Sequence, residues 1–201
     1  ESRSFSSSAI IASNLTGREF IRNEVTWRNV PQPQPVDPIA QTFIIDNHSR
    51  GVSSSGAFLS KIDLFFGAKD SSRPVFIEIR EVDPTASFIT NKIVPFSEVT
   101  LEAADINTSS DGSAPTPVHF STPIHLKDQT EYAVVIKPGA DNPDTTLFVS
   151  RLGGNDLITG ERIVKQPYVG TMYASSNNKA WNAIQEEDLK FKLYIAQFTT
   201  G

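Results

Sequence analysis

Cysteine is absent from the 201 residues, and methionine occurs only once. Without cysteine the chain has no disulfide framework, no thiolate metal site and no cysteine nucleophile. No uninterrupted apolar run approaches the roughly 18–20 residues that a membrane-spanning helix needs, so we expect no membrane insertion. Lys and Arg together number 18, against 23 Asp and Glu. Because nucleic-acid surfaces need clustered basic residues, this acidic excess argues against nucleic acid as a partner.

Apolar residues, by contrast, are plentiful enough for a packed core, at 38% of the chain. A chain of this size typically buries about 70% of its unfolded surface. The length predicts one domain, or one domain with an appendage. The chain starts at Glu1 rather than Met, so we expect a fragment, a processed product or a renumbered segment.

Residues 1–36 lack the regular pattern of the rest of the chain. Four apolar side chains stand among polar and charged residues without a sustained period: Ile10, Ile11, Phe20 and Trp27. Because so few apolar groups cannot bury one another, we expect them to dock on another protein or on another copy of this chain. They are therefore candidate interaction residues. The competing outcome is that the arm packs on its own domain as an extra edge strand.

A proline-rich spacer ends this region, since Pro31, Pro33 and Pro35 alternate with glutamines. Alternating prolines restrict φ and remove backbone donors, which favours extended polyproline II. We therefore predict an extended arm and Pro-rich linker over residues 1–36 and a separate β-sandwich domain over residues 37–201.

Strand signals dominate from Asp37 onward. Ile62, Leu64 and Phe66 alternate with the polar Lys61 and Asp63, and the same period of two recurs in several later segments. Those segments are 75–80, 132–137 and 190–195. Two short helical turns are expected, one within 97–105, where it competes with a strand, and one over 182–187. This pattern predicts an all-β fold, an antiparallel two-sheet sandwich of the jelly-roll-like type.

No catalytic or metal-binding constellation emerges from the sequence. His48, His119 and His125 lack the spacing usual for a zinc site, and we expect them to be isolated surface residues. The serines lack a nucleophile-elbow motif. Adjacent acids such as Glu186 and Glu187 do not face each other across a cleft, as glycosidase chemistry requires. We therefore expect no enzyme activity, no metal and no cofactor.

Tyr168 and Trp181 are the aromatic residues of the domain that we expect closest to the surface. Exposed aromatics can stack on sugars or anchor protein interfaces, so both are candidate interaction residues. An exposed Trp181 or Tyr168 in a groove beside Asp or Asn would favour binding of host surface glycan.

Several sequence blocks, in their order along the chain, resemble a domain that recurs in large structural proteins of contractile-tailed phages. The blocks are 37–43, 61–66 with 69–70, 74–80, 95–99, 130–135, 153–170 and 185–193. The resemblance is to T4-like and cyanophage baseplate-wedge and tail-associated proteins, and it covers about residues 37–198. It implies a virion structural module without known catalysis, and it supplies no site residues.

The sequence-based hypothesis is a structural component of a phage tail, in the baseplate or the attached fibre apparatus. Its partners would be other virion tail proteins, with copies of itself as further candidates. The alternative is a carbohydrate-binding domain that recognises host surface glycan. Jelly-roll sandwiches often bind sugars, but that argument is only a fold analogy.

Overall fold

A computed structural model describes residues 6–10, 23–25, 37–46, 56–86, 88–139, 142, 144–154, 162–164 and 170–196. Within them the chain forms β-strands, one 3-10 helix at Ala103–Asp105 and no α-helix. None of these residues belongs to a helix long and apolar enough to cross a membrane. The strands are β1 Ser6–Ile10, β2 Asn23–Val25, β3 Ile39–Ile45, β4 Gly56–Ala68, β5 Val75–Asp83, β6 Phe88–Ile93, β7 Val99–Leu101, β8 Pro115–Lys127, β9 Thr130–Pro138, β10 Thr146–Leu147, β11 Val149–Arg151, β12 Met172–Ala174, β13 Asn182–Ile184, β14 Glu187–Leu189 and β15 Phe191–Ile195.

Two large sheets hold most of these strands. The seven-stranded sheet has the order β13-β12-β3-β9-β5-β6, with β7 also paired to β5. The six-stranded sheet has the order β15-β4-β10-β1-β2, with β8 also paired to β4. A short pair, β11-β14, completes the set. The domain is all-β and antiparallel apart from the β1–β10 bridge and an isolated bridge between Phe66 and Thr108, so the predicted sandwich is confirmed.

The main core lies between the two large sheets, where alternate side chains of each strand meet. Ile62, Leu64 and Phe66 of β4 are fully buried there, as their period of two predicts. Phe43 of β3 lies with its ring centroid 6.3 Å from those of Tyr132 in β9 and Phe191 in β15. Phe43 therefore joins the two sheets through aromatic contacts.

The predicted faces of the last strand are confirmed from Phe191 onward, whereas Lys190, expected on the polar face, is buried and donates from Nζ to Gly112 O. Phe191 is buried, while Leu193 and Ile195 pack against the main core. Lys192 and Tyr194 are exposed on the opposite face. The register of β15 on β4 pairs Leu193 with Ile62 and Tyr194 with Lys61, which places like faces together.

The helical turn expected over residues 182–187 is wrong. Residues 182–184 form β13, a turn follows at Gln185 and Glu186, and Glu187–Leu189 forms β14. Pairing with β12 and β11 supplies backbone hydrogen bonds that the local sequence does not reveal. In residues 97–105 both expected structures occur in succession, β7 and then the 3-10 helix.

Two pieces of the predicted arm lie within the described residues. β1 and β2 pair antiparallel, and Ile10 of β1 is the register partner of Leu147 in β10. These strands extend the six-stranded sheet beyond β10. The Pro-rich linker lies outside the described residues, and docking of the arm on another protein stays a prediction.

Candidate interaction surfaces

The outer face of the seven-stranded sheet, which points away from the main core, is itself largely covered. Strand alternation directs Glu78 and Arg80 of β5 to this face, yet they are only 1% and 3% exposed. Around them lies a second, smaller cluster of apolar residues. Its buried members are Ala40, Val82, Ile89, Ala133 and Val135, with Tyr173 and Trp181 packed against it.

Glu78 is the centre of a buried ionic cluster on this face. Its Oε1 accepts a hydrogen bond from Arg80 Nε at 2.6 Å and lies 2.5 Å from an Arg80 terminal nitrogen. Its Oε2 accepts from Lys137 Nζ at 2.5 Å. One carboxylate thus compensates two cations, and the pairing satisfies both oxygens of a group that would otherwise be costly to bury.

Arg80 also attaches the connection between β12 and β13 to the sheet. Its two terminal nitrogens donate to the backbone oxygen of Asn178 at 3.3 Å and to Asn178 Oδ1 at 2.8 Å. Asn178 has φ of +58°, a left-handed conformation that asparagine tolerates better than most residues. Asn177 Oδ1 accepts from the backbone nitrogens of Lys179 and Ala180, which closes the turn. The turn is therefore held by polar groups at both its base and its tip.

Trp181, a predicted interaction residue, completes the cover over Arg80. The guanidinium carbon of Arg80 lies 5.8 Å from the centroid of its ring, a cation–π contact. Trp181 is half-buried, and its Nε1 is buried without a hydrogen-bond partner among the described residues. The ring therefore packs on the protein's own sheet and is not a free stacking platform.

Of the other predicted interaction residues, only Ile10 lies within the described part of the chain. Ile10 lies in β1 opposite Leu147. Ile11, Phe20, Trp27 and Tyr168 lie outside the described residues. Of the six candidates, the structure therefore places only Ile10 and Trp181.

A polar cluster that sequence reasoning missed lies on the outer face of the six-stranded sheet. Asp63 Oδ2 accepts a hydrogen bond from the Tyr194 hydroxyl at 2.6 Å. Lys61 Nζ lies 3.0 Å from Asp63 Oδ1, an ion pair without an aligned hydrogen bond, and 3.7 Å from the centroid of the Tyr194 ring. The hydrogen bond to Asp63, together with burial, raises the pKa of Tyr194. The register that pairs Tyr194 with Lys61 creates this cluster, and local sequence carries no signal for it.

A buried carboxyl group stands between the seven-stranded sheet and β14. Gln41 of β3 is fully buried, and its Nε2 donates to Asp188 Oδ1 at 3.3 Å. Its Oε1 accepts from the backbone nitrogen of Leu189 at 2.8 Å, so one side chain holds two atoms of β14. Burial raises the pKa of Asp188 to about 6, and the hydrogen bond from Gln41 opposes this by lowering it.

We expect Asp188→Asn to stabilise the domain at pH 7.5 and to remove a pH dependence. The folded pKa of about 6 lies above the ordinary value of 3.8, so the folded state binds a proton more tightly than the unfolded state. The Asp188 carboxyl therefore increases the free energy of unfolding as pH falls from about 7 to about 4. That contribution is lost again as pH rises through the folded pKa of about 6. Urea unfolding at several pH values measures the difference between wild type and variant.

Asp111→Asn is the matched control for Asp188→Asn. Hydrogen bonds from Ser113 lower the pKa of Asp111, so its contribution to stability should be lost as pH falls. The two variants should thus change the pH profile in opposite directions. Equal profiles for wild type and Asp188→Asn would show that the buried carboxyl is not the source of the pH dependence.

The described residues contain no group of three or more His, Cys, Asp or Glu side chains arranged to hold a metal ion. His125 packs against Phe58 in a tilted arrangement, with ring centroids 5.0 Å apart, and His119 pairs in register with Lys61. The polar clusters described above hold elements of the fold together.

Comparisons of the chain with protein-family models, curated proteins and solved structures found no significant match.

Proposed function

We propose that this chain is a structural component of a contractile phage tail, in the baseplate or attached fibre apparatus, and that it acts by protein–protein docking. The observation that carries this proposal is the ordered set of sequence blocks that resembles T4-like and cyanophage tail proteins. The blocks are spread from residue 37 to residue 193, so the resemblance concerns a whole domain rather than one motif.

The placement of those blocks in the fold supports the proposal. Block 37–43 enters β3, block 61–66 lies in β4, block 74–80 in β5 and block 130–135 in β9. These are the strands that build the two large sheets and their shared core. The resemblance therefore follows the framework of the sandwich, as expected for a shared structural module.

The construction of the outer faces also suits a docking protein. The cluster of Glu78, Arg80 and Lys137 holds a surface turn through specific hydrogen bonds, so this surface is preorganised. Large apolar side chains stand exposed elsewhere, including Ile44 at 54% and Phe96 at 73%. Exposed apolar groups on a rigid framework are typical of protein interaction sites.

Glycan binding, the alternative, gains no support from Trp181. That hypothesis needed an exposed aromatic in a groove, whereas Trp181 is half-buried against Arg80. Tyr168 lies outside the described residues. The proposal is therefore confined to protein docking.

The test is to purify phage particles from a lysate of the strain that encodes this chain and to label them with antibody raised against residues 37–201. We expect gold label at the distal end of the tail and peptides of the chain in the particle's mass spectrum. Antibody pre-absorbed with the domain is the control. Intact particles that lack both label and peptides would contradict the proposal.

A further inference from the structure

The β6–β7 edge of the seven-stranded sheet carries an exposed aromatic side chain on a turn. β6 is the last strand in the order of that sheet, and β7 continues along β5 after an excursion at residues 94–98. Phe96, within the excursion, is 73% exposed, and Ile93 at the end of β6 is 36% exposed. Exposed apolar side chains at a sheet edge are candidate interaction residues.

The turn that presents Phe96 is held rigidly against β5. The backbone nitrogen of Ser97 donates to Val94 O at 3.2 Å, which closes a four-residue turn with Pro95 in its second position. The fully buried Ser97 hydroxyl accepts from Ile79 N at 3.0 Å and donates to Ile79 O at 3.2 Å. Val94 N also donates to Ile79 O at 2.8 Å. Both ends of the turn are therefore anchored on one residue of β5.

Phe96 occupies the position of this turn that normally selects glycine or asparagine. Its φ is +65°, and a bulky side chain rarely adopts a left-handed backbone. The ring gains little compensation from burial, since most of it faces solvent. An exposed aromatic kept in an unfavourable conformation is a recurrent mark of a functional site.

Charges on either side of the turn are arranged in a self-complementary way. Lys92 lies three residues before Pro95, and Glu98 lies three residues after it. Ile93 pairs with Arg80 of β5 and Val99 with Ile77, so Lys92 and Glu98 lie on opposite sides of the turn along this edge. A two-fold axis through the turn would bring each Lys92 towards the Glu98 of the other copy. Within its own chain Lys92 lies 3.8 Å from Glu81 Oε2 and its charge also acts on Asp83, but its side chain is 77% exposed. A twofold interface requires this kind of self-complementarity.

We propose that the β6–β7 edge is a homodimer interface, in which Phe96 of each copy packs beside the axis against Pro95 and Ile93 of the other. Lys92 and Glu98 set the antiparallel register through two reciprocal ion pairs. The excursion at 94–98 breaks the edge ladder, so side chains make the contact rather than a continuous intermolecular sheet. The proposal does not depend on the assignment to a phage tail.

Sedimentation velocity on the full 201-residue chain, over a series of concentrations, tests the interface. Wild type should form a concentration-dependent dimer. Phe96→Asn removes the ring but suits the left-handed backbone, so the variant should remain folded, with a melting temperature at or above that of wild type. Its dimerisation should be weakened about tenfold or more, as for a central aromatic anchor. A wild type that stays monomeric, or a Phe96→Asn variant that dimerises like wild type, would overturn the proposal.

Charge variants test the register separately. Lys92→Glu and Glu98→Lys should each weaken the dimer by opposing like charges, and the double variant should restore it, because the pairs re-form with reversed sign. Lys127→Glu makes the same charge change on β8 of the other sheet and should leave the dimer unaffected. Failure of the double variant to recover association would refute the antiparallel arrangement about Pro95.

Discussion

Replacing Phe43 with alanine should lower the free energy of unfolding by about 3–5 kcal/mol. Phe43 is 1% exposed, and its ring lies 6.3 Å, centroid to centroid, from both Tyr132 and Phe191. These partners belong to different sheets, so the truncation opens a cavity at the place where the sheets meet. Because strands from both sheets must move to fill the space, little of it can collapse. Urea unfolding followed by tryptophan fluorescence measures the loss.

Ile44→Ala is the matched control for Phe43→Ala. Ile44 is the next residue of the same strand, but it points to the outer face and is 54% exposed. Its truncation should cost less than about 0.5 kcal/mol. Similar losses for the two variants would show that β3 does not have the register on β9 that pairs Phe43 with Tyr132.

Replacing Glu78 with glutamine should cost about 3–5 kcal/mol, because it leaves two cations without their counter-charge. The side chains of Glu78 and Arg80 are 2% and 4% exposed, so water cannot replace the lost carboxylate. Lys137 is 22% exposed and can reach solvent more readily. The turn that Arg80 binds through Asn178 should also loosen. We therefore expect faster amide exchange at residues 176–180 together with a lower urea midpoint.

Glu81→Gln controls for the loss of one carboxylate from the same strand. Glu81 is 52% exposed, and its Oε2 lies 3.8 Å from Lys92, which is 77% exposed. Such a solvent-exposed pair contributes about 0–1 kcal/mol. Replacing both Glu78 and Arg80 by leucine should cost less than Glu78→Gln alone, since it removes the charge and its main partner together. A Glu78→Gln variant as stable as Glu81→Gln would mean that the cluster is solvated in solution.

Alternation of apolar and polar residues was enough to predict the all-β class and the faces of the main strands. Ile62, Leu64 and Phe66 face the core as their period of two requires, and so do Phe191 and Leu193. This succeeds because strand geometry turns each successive side chain to the opposite face, whatever the neighbouring strands are.

Local pattern failed where a strand is too short to show a period. Residues 182–187 were expected to form a helical turn, but β13 and β14 are three residues each and owe their conformation to their partner strands. Trp181 was expected near the surface as a contact residue, yet it closes over Arg80 from a turn that begins on another strand. Neither the strand pairing of β13 and β14 nor the packing of Trp181 on Arg80 is visible in residues that are adjacent in the sequence.

The sequence by itself therefore determined the class of fold and the core-facing residues of the long strands. It also excluded any site built on cysteine, because the chain has none. Only the tertiary structure decided which outward-facing polar residues meet. Glu78 and Arg80 are two positions apart on one strand, but Lys137 and Asn178 reach them from 59 and 98 residues away. Likewise Tyr194 meets Asp63 across 131 residues. Burial on one face is a local consequence of strand geometry, whereas these contacts depend on strand order and register, which are settled by the packing of the whole sandwich.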